Sequence, residues 1–161
     1  MKALFTSMLQ ALARGEGVVL CSILASSGST PRGAGAKMAV FADGHTEGTV
    51  GCCLAPNEVA DIGMICGGNV TVFFQYFDPQ AEADTALLRG ILELLNGNQN
   101  SWLVYRMDDG CVSAMGTYDE AHGLRFTDCI TPDELRPMLR ADAVTKKGEP
   151  RYYVEPLTRA G

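Results

Sequence analysis

The chain has 161 residues, 47% of them apolar and 20% charged, a composition that suits one globular domain and excludes a disordered chain. Thirteen basic against nineteen acidic residues leave a net charge of −6. That balance argues against nucleic acid, whose polyanion needs a basic face, and against an anionic membrane surface. A chain this long buries roughly 70% of its unfolded surface, enough for a core without staples. Its apolar runs fall short of the roughly 20 residues that span a bilayer, and the N-terminus shows no signal-peptide pattern. The expected location is therefore cytoplasmic. Six cysteines, at 21, 52, 53, 66, 111 and 129, contain no Cys-x-x-Cys pair and read as reduced thiols. The two histidines, His45 and His122, fall in turns, which argues against a His-rich zinc site and a Ser-His-Asp triad.

Leu4, Phe5, Met8, Leu9 and Leu12 recur at helical spacing, and Gly15 and Gly17 end the pattern. Val18 to Ala25 is a β-branched apolar run that predicts a buried strand. A glycine-, serine- and proline-rich loop follows over 26–35. Lys37 to Ala42 and Thr46 to Val50 predict a hairpin about Asp43-Gly44. Residues 51–68 are irregular, and Val70 to Phe77 is a β-branched and aromatic strand. Leucines and isoleucine from 87 to 95 predict a helix over 79–96, closed by Gly97. Trp102 to Met107 and Val112 to Tyr118 flank Asp109-Gly110 as a second hairpin. Thr131-Pro132-Asp133-Glu134 is a capping box with proline at the first helical position, opening a short helix to about Leu139. Strands over 143–145 and 151–155, linked through Lys147-Gly148, complete the chain. The expected class is α+β: one mixed or mostly antiparallel sheet with about three helices packed on it. The chain stops soon after Pro156, so a single domain over 1–161 is expected, with no second domain behind it.

Two segments have the residue types for chemistry. Ser26 to Lys37 packs hydroxyls, glycines, Arg32 and Lys37 into twelve residues after a buried strand. Glycine backbone makes nest-like anion sites, Arg32 can grip a phosphate with two parallel hydrogen bonds, and Lys37 can add a point charge. The bland alternative is a wide turn with a solvated Arg and Lys. In the second segment, Cys66 precedes Gly67 and Gly68 at the entrance to a strand. Amides or a cation near its sulfur would favour the thiolate, a ligand for a soft metal. The alternative is a small buried hydrophobe beside a glycine corner. Cys52-Cys53 reads as two unrelated thiols.

Gly28-Ser29-Thr30-Pro31-Arg32, Gly35-Ala36-Lys37-Met38, Gly48-Thr49-Val50-Gly51 and Met64-Ile65-Cys66-Gly67-Gly68 form an ordered set. Over nearly the whole chain this set resembles the XdhC/CoxI family, the xanthine dehydrogenase accessory factors. The resemblance implies a chaperone that binds molybdenum cofactor (molybdopterin with its metal) and assists its sulfuration or insertion into a molybdenum hydroxylase. It also implies a possible sulfur donor as partner. On that reading Gly28, Ser29, Thr30, Arg32, Gly35 and Lys37 hold the anionic and pterin parts of the cofactor. Cys66, with Gly67 and Gly68, meets its metal. Two departures stand out. The family's C-terminal Rossmann-like domain is not expected here. After Gly51, Cys52-Cys53-Leu54-Ala55-Pro56 stands where the family has a glycine run, a glutamate and a helix.

The leading expectation is thus a cofactor-binding accessory protein with no turnover of its own. A phosphate- or nucleotide-binding transferase using the same loop is the alternative, short of a convincing general base. A third reading is a binding or scaffold module without ligand function, whose exposed strand edges at 46–53 and 69–77 could instead pair with another subunit to give a homodimer.

Overall fold

The computed structural model describes residues 1–27, 35–48, 69–108, 111–140, 145–147 and 151–158. The first helix, α1 (Lys2–Ala13), buries Leu4, Phe5, Met8, Ala11 and Leu12 on one face. It ends where the sequence says: Gly15 takes a left-handed φ of +79°. Its amide bonds to Leu12 O, while Glu16 N reaches Ala11 O at 2.9 Å. That pair of bonds satisfies the last helical carbonyls, and glycine reaches this conformation without a Cβ penalty.

Among the described residues, nine strands form two antiparallel sheets rather than the single sheet expected. The first has four strands in the order β3-β2-β1-β4, from β1 (Val18–Ser27), β2 (Lys37–Phe41), β3 (Thr46–Gly48) and β4 (Asn69–Phe77). The second has five in the order β7-β6-β5-β9-β8. Its members are β5 (Ser101–Asp108), β6 (Cys111–Asp119), β7 (Gly123–Arg125), β8 (Thr145–Lys147) and β9 (Arg151–Thr158). The class remains α+β. Hairpin spacing identifies neighbours along the chain, whereas the split into two sheets depends on which hairpins meet across it.

Helix α2 (Glu82–Asn96) begins three residues later than its apolar spacing suggests. Asp78 accounts for the delay: its carboxylate accepts from Gln80 N at 2.8 Å, and its carbonyl accepts from Ala81 N. Such an Asx turn holds the backbone out of the helix. The short helix α3 (Pro132–Leu135) opens with the full capping box, Thr131 and Glu134 bonding reciprocally, and runs into a tighter turn over Arg136–Met138. Strand β8 lies two residues beyond its expected position, and β7 falls where only turn chemistry was expected.

One core joins α1, α2 and the inner faces of both sheets, through Phe5, Met8, Leu20, Phe41, Ile91 and Tyr105 among others. A second cluster, with Trp102, Val104, Tyr118, Leu135 and Val154, fills the opposite face of the five-stranded sheet beneath α3. Strand β5 contributes to both and is buried on both sides.

Candidate functional site

The pairing of β1 with β2 runs from Val18↔Phe41 to Ser22↔Lys37. Beyond it, Ile23 N donates to Ala36 O at 2.9 Å and Gly35 N donates to Ile23 O at 2.6 Å. Gly35 has a φ of +97°, a left-handed conformation that favours glycine. The candidate segment 26–37 therefore has a fixed end: a strand pair closed by Gly35, with Lys37 one step inside it.

Opposite residues of an antiparallel pair share a face, so Ser22 and Lys37 both point into the space between the sheets. There Lys37 Nζ donates to Ser22 Oγ at 3.1 Å and to the Tyr105 hydroxyl at 3.0 Å. It also makes an ion pair with Glu155 Oε1. The Tyr105 hydroxyl in turn donates to Glu155 Oε1 at 2.7 Å. The Lys37 and Glu155 side chains are 1% and 2% exposed, so this is a charged network inside the protein. Glu155 Oε2 is buried without a hydrogen-bond partner among the described residues. Burial, reinforced by the charge of Glu155 and the bond to it, raises the Tyr105 phenol well above its ordinary 10.0.

This geometry revises the role expected of Lys37. An ammonium has three N–H donors, and Ser22, Tyr105 and Glu155 take all three. Lys37 ties the segment's end to the core instead of lending a free charge to a ligand. Gly48, on β3, also serves this corner. It has a φ of +80°, and a Cβ there would run into the Lys37 carbonyl oxygen.

Of the other expected site residues, Gly28, Ser29, Thr30, Arg32, Cys66, Gly67 and Gly68 lie outside the described residues. Of the cysteines, Cys21 is free and buried, and burial pushes its thiol up; Cys129 is free and half-buried. The histidines sit in turns: His45 stacks on Phe41 at 4.4 Å, and His122 Nδ1 lies 2.8 Å from Asp119. Among the described residues no three His, Cys, Asp or Glu side chains are grouped to hold a metal ion. No helix among them is long and apolar enough to cross a membrane.

The family model described as the XdhC and CoxI family matches residues 11–68. Over that stretch the chain is similar to the XdhC/CoxI family. The matched stretch contains β1, the 26–37 segment, β2, β3 and Cys66-Gly67-Gly68. A crystal structure described as a xanthine dehydrogenase from Bacillus halodurans has the same fold, with a TM-score of 0.65 at 16% identity. The likeness covers 96% of this chain and 53% of that one, so this chain spans about half the length of that protein. No curated protein matches the chain in sequence. Ser22 and Lys37 lie within the family match, whereas Tyr105 and Glu155 lie far outside it.

Proposed function

We propose that this chain binds molybdenum cofactor and serves in the maturation of a xanthine dehydrogenase-type molybdenum hydroxylase, without turnover of its own. The observation that carries this reading is the family match over 11–68, which takes in both chemically equipped segments at once. The similarity to the XdhC/CoxI family supports a part in molybdenum hydroxylase maturation; the named fold relative, described as a xanthine dehydrogenase, agrees with that theme.

Arg32 grips the terminal phosphate of the cofactor through two parallel hydrogen bonds, as its planar fork favours. Ser29 and Thr30 donate to the phosphate or the pterin edge, while Gly28 and Gly35 let the backbone approach. Cys66, flanked by Gly67 and Gly68, would offer a thiolate ligand to the metal. The bound metal centre supplies the redox chemistry of the target enzyme; the protein's part is to hold and orient it. The net charge of −6 is compatible with an anionic ligand, because a small anion responds to the local field. The proposed partners are the recipient hydroxylase, a sulfur donor and a second copy of the chain. For the last, β3 and β4 are the outer strands of their sheet, and β4 exposes Phe74 and Tyr76.

Cys66 provides the test. A metal-facing thiolate must react ahead of the buried cysteines under native conditions. Cys66→Ser should then lower retention of molybdenum cofactor while leaving the melting temperature within a degree or two. An unreactive Cys66, with a destabilised serine variant, would make it a core residue and remove it from the site.

A further inference from the structure

Glu155 is a buried carboxylate on the five-stranded sheet, opposite Leu103 and two residues from Tyr153. A buried carboxylate in such surroundings is costly, and a well-packed apolar pair in place of a buried ion pair is often at least as stable. Glu155 is costlier still, because one of its oxygens lacks a partner among the described residues. What the charged arrangement provides is direction. Hydrogen bonds from Lys37 Nζ fix its place against β1, β5 and β9 together. Lys37 sits one residue from Ala36 and two from Gly35, whose backbone bonds to Ile23 close the strand pair. Lys37 thus cannot move without breaking bonds to both sheets.

We infer that Glu155 and Tyr105 are positioning residues for the ligand-binding corner at Gly35–Lys37, acting on it through Lys37. Two strands outside the family match then take part in the site: β5 and β9 set where the end of β2 lies. The inference rests on the proposed function in treating that corner as part of a cofactor site. It makes no ligand contact for either residue. Tyr105 is the member whose change disturbs packing least, since phenylalanine keeps the ring and removes the hydroxyl that bonds both Lys37 and Glu155.

The experiment compares Tyr105→Phe and Glu155→Gln with the parent in amide hydrogen exchange and in anaerobic titration with isolated molybdenum cofactor. Thr131→Ala, at the α3 cap, serves as a control that lowers overall stability far from the corner. Both variants should speed exchange at Ile23 and Gly35 by tenfold or more while β5 amides follow global stability. Cofactor affinity should fall at least tenfold in Tyr105→Phe and stay near the parent value in the control. If Glu155→Gln does not fold, Tyr105→Phe decides alone. Exchange at Ile23 and Gly35 that merely tracks global stability, or parental affinity in Tyr105→Phe, would overturn the inference. Should the parent itself bind no cofactor, the proposed function fails, and the exchange result still decides whether these residues position the corner.

Discussion

Removing the carboxylate of Glu155 while keeping its bulk apolar, as in Glu155→Leu, leaves the Lys37 ammonium buried without its counter-charge. Breaking a buried pair in this way costs about 3–5 kcal/mol, because the remaining charge has lost its compensation. The structure favours the full range: both side chains are almost entirely buried, and Ser22 and Tyr105 offer only neutral oxygens in place of the lost charge. A loss of that size is a large part of the roughly 5–15 kcal/mol that holds a domain folded. For a chain of this length it should lower Tm by about 6–20 °C. The double variant Lys37→Met with Glu155→Leu removes both charges and should recover most of the loss. Urea unfolding followed through Trp102, the single tryptophan of the chain and buried in the core, measures each step. The reasoning is refuted if Glu155→Leu alone costs less than about 1 kcal/mol, or if the double variant is no better than the single one.

Three further outcomes are expected. Gly44→Ala and Gly48→Ala both force alanine into a left-handed backbone, worth about 1–2 kcal/mol. At Gly44 the added Cβ meets open space, whereas at Gly48 it meets the Lys37 carbonyl; thermal melts should therefore show Gly48→Ala as clearly the more damaging. Thr131→Ala removes the cap of α3 and should cost about 1 kcal/mol in urea unfolding. The alkaline limb of stability should carry the signature of Tyr105. Its folded-state pKa lies above the unfolded 10.0, so from pH 10 upward the unfolded chain releases a proton that the folded chain keeps. Stability from this group is intact below pH 10 and declines above it, by up to about 1.4 kcal/mol per pH unit. In Tyr105→Phe that part of the slope should vanish.

Local elements were well marked in the sequence, and the marks have physical reasons. Gly15 ends α1 because the left-handed cap needs glycine, and Thr131 with Glu134 announces α3 because both side chains satisfy free amides. Strand β7 was hidden because three residues after a glycine turn carry no periodicity, and its place is set by pairing with Thr117 and Asp119. The two-sheet arrangement was hidden for the same reason: alternation tells which face is apolar and not which sheet it meets. At the site, the importance of Lys37 was legible from its place beside Gly35. Its direction was not, since a lysine at a strand start is ordinarily solvent-facing. Ser22 and Glu155 did leave a trace. Each is polar within an apolar run, Val18 to Ala25 and Tyr152 to Leu157 respectively, and a charge there needs a partner of opposite sign. Matching Glu155 to Lys37 across 118 residues required the topology.

Anaerobic titration of the purified protein with isolated molybdenum cofactor tests the proposal that the chain binds this cofactor through the Arg32 segment. The parent should bind saturably. Arg32→Ala should weaken binding about ten- to a hundredfold, the value of roughly 1.5–3 kcal/mol for one charged hydrogen-bond partner, with the melting temperature unchanged. No saturable binding by the parent, or parental affinity in Arg32→Ala, would contradict the account.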